Sequence, residues 1–348
     1  MARTLIIGGT GSLGRKLIER LLPSDEVAVY SRDEAKHWTI KNELSNGPLA
    51  TRSHAIQFYV GDVRDKLRVK DVIRQYLPEV IIIAAALKQV DTCELSPHES
   101  VMTNLLGTQA VIDAVNDSGS PPRKVLFVST DKACAPVNVY GMCKALSERV
   151  VTSQKRTGRA LTDYLAVRYG NVLESRGSII PLFKYQGMHA ECLTVTDPDM
   201  TRFVMTLDQS VDLIQNTLQH GASGETWIPC LPAMRVGDLA SIFSEKYGKP
   251  IKIVGLRPGE KQHEDLINES ESSRVLTLEN LPDLPGKKHY VIGPAFEAGT
   301  SSTFTYSSSD DVMSRAQLEA HLNNLGILDA PLQHFKGRSI EEINDKKE

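Results

Sequence analysis

Cysteine is scarce in this 348-residue chain, and the five thiols, Cys93, Cys134, Cys143, Cys192 and Cys230, are odd in number with no Cys-x-x-Cys among them. That argues against a disulfide framework and against a zinc site, and leaves reduced intracellular thiols and no metal. Membrane-length apolar runs are missing too. Val80 to Leu87 falls far short of the roughly 20 residues a membrane helix requires, and Leu5 to Ile7 meets glycines too soon to be a signal peptide. These absences read as a cytoplasmic protein with no membrane contact. Basic surplus is also lacking: 40 Lys and Arg against 43 Asp and Glu leave a net charge of -3, with no footprint for nucleic acid. No internal repeat or low-complexity segment occurs. What is present is a 41% hydrophobic composition, enough to bury a substantial core in one large or two interlocked domains.

The chain begins as strand, turn and helix. Leu5-Ile6-Ile7 is followed by the glycine-rich Gly8-Gly9-Thr10-Gly11-Ser12-Leu13-Gly14, after which Leu13, Leu17, Ile18 and Leu21 recur at helical spacing. Gly8, Gly11 and Gly14 allow a tight turn and bring a pyrophosphate close to the backbone amides of a helix N-terminus, whose dipole favours an anion. After a second strand-like run, Val27 to Tyr30, come Ser31, Arg32, Asp33 and Lys36. A hydroxyl and cations at that strand end suit a 2′-phosphate, which points to NADP; a solvated helix start is the alternative. Ile56 to Val60 then leads to Asp62, placed either to accept from the adenine amine or to cap a helix.

Strand and helix signals alternate onward. After a strand from Val80 to Ala85, Ser96-Pro97-His98-Glu99 has the pattern of a capping box, opening a long helix towards Asn116. The run Val125 to Val128 reads as a buried strand, Leu161 to Val167 as a sixth, and together they predict an α/β doubly wound parallel sheet. A helix between them carries Tyr140, with Val139, Met142, Leu146 and Val150 as its apolar face. The organisation expected is a dinucleotide-binding Rossmann domain over 1–172 and a smaller C-terminal substrate-binding lobe over 173–348, some of whose segments return to the first. A helix is predicted over Val236 to Tyr247, and strands near Leu193 to Thr196 and Ile251 to Val254.

The chemistry concentrates after the fifth strand. Asp131 and Lys132 stand at the rim where open α/β sheets place ligands. Tyr140 and Lys144, four apart, share one helix face, and an ammonium beside a phenol favours the phenolate as a base. Arg176, Arg202 and Arg257 lie beside small or turn-forming residues, as phosphate-binding guanidinium forks or as surface ion pairs.

Gly8-x-x-Gly11-x-x-Gly14 with Tyr140-x-x-x-Lys144 resembles the extended short-chain dehydrogenase/reductases. The runs Gly61-Asp62-Val63-Arg64-Asp65, Ala84-Ala85-Ala86-Leu87-Lys88-Gln89-Val90, Ser129-Thr130-Asp131-Lys132-Ala133, Arg168-Tyr169-Gly170-Asn171-Val172, Thr196-Asp197-Pro198-Asp199-Met200-Thr201-Arg202-Phe203 and Arg257-Pro258-Gly259-Glu260-Lys261 resemble, more closely, the inverting UDP-N-acetylglucosamine 4,6-dehydratases. The resemblance implies catalysis by Tyr140, Lys144 and Thr130 at the sugar C4, by Asp131 as the acid at C6 and by Lys132 as the base at C5, with a tightly held NADP recycled within one turnover. It implies a cofactor site made of Gly8, Thr10, Gly11, Ser12, Leu13, Gly14, Ser31, Arg32, Asp33, Lys36, Asp62, Val63, Ala84, Ala86, Lys88, Tyr140 and Lys144. For a UDP-sugar it implies Lys88, Asn171, Arg176, Thr194, Arg202, Arg257 and Glu260, and for the assembly a dimer or hexamer.

Two positions depart from the pattern: Ile7 replaces the usual threonine before the first glycine, and Asp91 stands where proline is common. The sugar is N-acetylglucosamine or glucose. A 5-retaining dehydratase or a 4-epimerase would keep Tyr140 and Lys144 but has less use for Asp131 and Lys132, and a non-catalytic dinucleotide sensor would need none of the four.

Overall fold

Six apolar runs form parallel strands: β1 (Arg3–Ile7), β2 (Glu26–Ser31), β3 (Ile56–Val60), β4 (Val80–Ile83), β5 (Lys124–Val128) and β6 (Asp163–Val167). The structure, a computed structural model, describes residues 2–154, 161–175, 177–279, 287–294 and 303–332. β1, β4, β5 and β6 are almost wholly buried, because helices cover both faces of a parallel sheet; this is why they read as continuous apolar runs rather than alternating ones. The chain divides into two units. The first comprises Met1–Tyr169, Asp208–Cys230 and Asp265–Thr305, the second Gly170–Leu207, Leu231–Glu264 and the chain from Tyr306 onward.

In the first unit the strands run β3-β2-β1-β4-β5-β6, continued by Thr226–Pro229, His289–Ile292 and Val275–Leu278. Thr226–Pro229 joins β6 in parallel, whereas the last two strands pair antiparallel. The fold is thus α/β and doubly wound, with an antiparallel edge on an otherwise parallel sheet. The chain builds outward from β1 to β3, then crosses to the other side of β1 for β4. This reversal opens a crevice at the carboxyl ends of β1 and β4, the usual ligand position of such sheets.

The helical signal before β5 corresponds to Pro97–Ser100, a wider π-type segment Val101–Leu106 and Gly107–Asn116. Pro97 opens it as expected. The capping box does not form: the Ser96 side chain makes no cap bond, and Glu99 is taken by the Arg64 guanidinium at 3.2 Å.

The expected inward face of the helix Val139–Thr152 is also corrected. Met142 and Leu146 are 48% and 54% exposed, while Tyr140, Cys143, Lys144, Ser147, Glu148 and Val151 are buried. The helix turns its polar residues inward because they find partners there, and the apolar ones are left outside.

In the second unit, Thr201–Met205 pairs with Ala233–Arg235 and Asn171–Val172, and Leu193–Val195 pairs in parallel with Ile251–Ile253. The helix Val236–Tyr247 forms where its apolar spacing predicts, burying Phe243 against Phe183 with ring centroids 5.9 Å apart.

Candidate active site

The turn after β1 needs its glycines. Gly8 has φ of +90°, and a Cβ there would lie 2.6 Å from the Ala85 backbone nitrogen, while a Cβ at Gly14 would run into the Gly9 backbone. The turn therefore packs directly on the backbone beyond β4, where Ala84 donates to the Ile7 carbonyl at 2.9 Å. Ser12 and Leu13 open the helix α1 (Ser12–Leu21), Thr10 is buried just before it, and Gly11 caps it without a side-chain bond. This leaves first-turn amides and a side-chain-free cradle, which fit a dinucleotide pyrophosphate. Ala86 and Lys88, further along the same loop, are exposed.

At the end of β2 the polar residues already have partners. Ser31 Oγ lies 2.7 Å from His37 Nε2, and Lys36 Nζ lies 2.6 Å from Asp33 Oδ2. Asp33 also caps α2 (Glu34–Ser45) by accepting from the Lys36 amide, and Lys36 holds its carboxyl below the usual range. Arg32, more than half exposed, has only a loose contact with Asp62 at 3.8 Å. Of the two readings for Asp62, the cap is corrected: Asp65 caps the next helix, while Asp62 accepts from the amide and guanidinium of Arg64. Val63 is buried in the core.

The residues after β5 converge. Asp131 Oδ1 accepts from Thr130 Oγ1 at 2.8 Å, from the Lys132 amide at 2.8 Å and from Lys132 Nζ at 3.2 Å. Asp131 Oδ2 is buried with no hydrogen-bond partner, and its side chain is 1% exposed. Tyr140 faces this cluster. Burial pushes its phenol up to about 12, Lys132 pulls it down, Asp131 pushes it up and the Thr130 hydroxyl pulls it down. Lys132 is thus a cation that acts on the phenol from the turn after β5. Lys144 points its ammonium at the Val128 carbonyl, 2.5 Å away, over the Phe127 ring; burial brings it down to about 7.

Asn104, which the sequence reading misses, holds this rim together. Its side chain pairs with both the amide and the carbonyl of Leu87, at 2.7 and 2.9 Å, while its carbonyl accepts from Ser147 at 2.9 Å. It thereby ties the loop after β4 to the helix of Tyr140. Its position in a π-type segment, where side chains shift from the α-helical register, hides it from periodicity. His37 and Glu148 are likewise missed, although Glu148 continues the i, i+4 spacing of Tyr140 and Lys144.

Asn171, Thr194, Arg202, Arg257 and Glu260 belong to the second unit, whereas Lys88 and the residues after β5 belong to the first. Asn171 Oδ1 is buried without a partner. Thr194 Oγ1 accepts from Gln186 at 2.7 Å. The Arg202 fork donates to the carbonyls of Thr201, Gln262 and Lys261 at 2.7, 3.1 and 2.9 Å. Arg257 is exposed, and its amide donates to Glu260 Oε2 at 3.3 Å. Arg176 lies outside the described residues.

Among the described residues no helix is long and apolar enough to cross a membrane. The profile of the family described as polysaccharide biosynthesis protein matches residues 4–283. An uncharacterised membrane protein of Methanocaldococcus jannaschii is 38% identical over 88% of this chain and 90% of its own length. A UDP-glucose 4-epimerase of Rickettsia akari is 39% identical over 78% and 79%. The solved structure of Pen from Bacillus thuringiensis aligns with a TM-score of 0.83 at 32% identity, covering 93% of this chain and 98% of that one. The dTDP-glucose 4,6-dehydratase DesIV of Streptomyces venezuelae, solved with NAD bound, has a TM-score of 0.64 at 23% identity over 75% and 86%, a likeness of fold alone.

Proposed function

The chain belongs to the polysaccharide biosynthesis protein family, and on that premise we propose that it is a nucleotide-sugar 4,6-dehydratase that inverts C5, acting on UDP-N-acetylglucosamine with NADP. The observation that carries the proposal is the Asp131–Lys132 pair beside Tyr140. Resting as an ion pair at 3.2 Å, it becomes an acid and a neutral amine when one proton passes from Lys132 Nζ to the Asp131 carboxylate.

In this reading Tyr140 takes the proton of the C4 hydroxyl, helped by the Lys132 charge and the Thr130 hydroxyl, both of which lower its affinity for that proton. A dinucleotide held at the glycine turn supplies the hydride acceptor and donor. Once C4 is a ketone, the C5 proton is acidic enough for the Lys132 amine, and the Asp131 carboxyl protonates the departing C6 hydroxyl. Lys144 remains fixed at the Val128 carbonyl, beside the cofactor half of the site. Asn171, Thr194, Arg202, Arg257 and Glu260, with Arg176 and Lys88, hold the UDP-sugar by resemblance, and the chain works as a homo-oligomer.

A 4-epimerase is the second reading, favoured by the Rickettsia akari relative. It employs Tyr140 but leaves the buried Asp131 Oδ2 and the Lys132 amine without a task. Incubation with UDP-N-acetylglucosamine and with UDP-glucose in D2O, followed by NMR, separates the two. The dehydratase yields a 4-keto-6-deoxy sugar of L-arabino configuration with deuterium at C5. An epimer with no deuterium at C5 overturns the proposal, and a D-xylo product transfers it to the retaining class.

A further inference from the structure

The helix Val139–Thr152 presents Tyr140, Lys144 and Glu148 one turn apart, all buried. Glu148 accepts from the Arg168 guanidinium at 2.5 Å through Oε1 and at 3.2 Å through Oε2. The same guanidinium donates to both oxygens of Glu271 and to the Leu266 carbonyl, each at 2.8 Å. Glu271 Oε2 also accepts from the Cys134 thiol at 3.7 Å, two residues after Lys132. One guanidinium just beyond β6 therefore joins the helix of Tyr140 and Lys144 directly to Glu271, and through Glu271 to the turn of Asp131 and Lys132.

The charges of this cluster do not cancel. Two carboxylates share one guanidinium, and Lys144, one turn from Glu148, is the buried cation of that helix. Arg149 and Arg274 face the Glu271 side, where Arg274 is held by the Gly293 carbonyl at 2.6 Å. Around Lys144 itself stand Glu148 and the Cys143 thiol on its own helix, and the Val128 carbonyl and Phe127 ring on β5. Burial lowers the affinity of Lys144 for its proton and Glu148 restores part of it. Buried ion clusters contribute little net stability compared with apolar packing, so their use is more readily found in geometry and charge.

We propose that Glu148, Arg168 and Glu271 are positioning residues that lock the helix of Tyr140 and Lys144 to the Asp131–Lys132 turn, and that the Glu148 carboxylate, one turn along the same buried face, is the counter-charge to the Lys144 ammonium. The consequence for turnover rests on the dehydratase reading; the contacts and their test do not. In protein labelled with ¹³Cε-lysine, the Lys144 resonance is assigned by its loss in Lys144→Met and titrated by NMR. Glu148→Gln is expected to move its midpoint downward from about 7, and Glu148→Asp to recover most of the shift. A merely structural brace would lower the melting temperature and leave the midpoint in place. An unmoved or raised midpoint overturns the electrostatic half.

Glu271→Gln should leave that midpoint near the wild-type value while exposing Cys134 to a maleimide several-fold faster, located by mass spectrometry. Unchanged Cys134 labelling overturns the mechanical half, and this arm decides alone if Glu148→Gln does not fold. Because neither readout uses a sugar substrate, failure of the dehydratase assay and failure of this proposal are separate events.

Discussion

Lys144 lies 3.9 Å from the centroid of the Phe127 ring while donating to the carbonyl of the next residue, Val128, so its ammonium is enclosed by β5 rather than by water. Burial brings its folded-state value down to about 7 from the ordinary 10.5. Between those two values the unfolded chain carries the proton and the folded chain does not, so stability gains from this group as pH rises through that window. The penalty of the buried charge is fully present below about 7. Thermal denaturation from pH 6 to 9 should show wild type gaining on Lys144→Met with pH, by at most ~1.4 kcal/mol per unit. A constant difference between the two would remove Lys144 from the charged, buried position assigned to it.

Gly8→Ala places a methyl 2.6 Å from the Ala85 nitrogen at a φ of +90°. The variant should be destabilised by ~1 to 3 kcal/mol, the usual range for a strained backbone, and should lose dinucleotide affinity as the turn shifts. Denaturant unfolding and calorimetric titration measure the two effects; unaltered affinity would separate the turn from cofactor binding.

At the end of β2, Asp33 occupies the Lys36 ammonium and leaves Arg32 as the more available cation. Arg32→Ala should weaken NADP by about 1.5 kcal/mol, the lower end for a charge-assisted bond because the side chain is exposed, and should barely affect NAD. Asp33→Asn keeps a capping side chain but frees Lys36, and should strengthen NADP several-fold. Equal changes for both dinucleotides would point away from a 2′-phosphate.

Tyr140→Phe should lower turnover by roughly 10²-fold or more, as expected for a positioned general base, while nucleotide-sugar affinity survives. Asp131→Asn leaves an amide that cannot protonate the departing hydroxyl, and should stall elimination without weakening nucleotide binding. Near-normal rates from either variant would assign the step to another group.

Local order decides much of this protein. The glycine turn, the buried parallel strands and the helix Val236–Tyr247 follow from spacing and backbone sterics within a few residues, and all were legible before the fold. So was the grouping of Thr130, Asp131, Lys132 and Tyr140, because strand end and helix start bring near neighbours together. Partnership was not legible. Glu271 reaches Arg168 across 103 residues, the Arg202 fork is taken up by carbonyls around residue 261, and Lys36 answers to Asp33 rather than remaining free. Met142 and Leu146 fit an inward stripe, yet the helix buries Tyr140, Lys144 and Glu148 instead. A polar side chain can be buried only where distant segments supply its hydrogen bonds and counter-charge, and that supply exists only once the chain has folded.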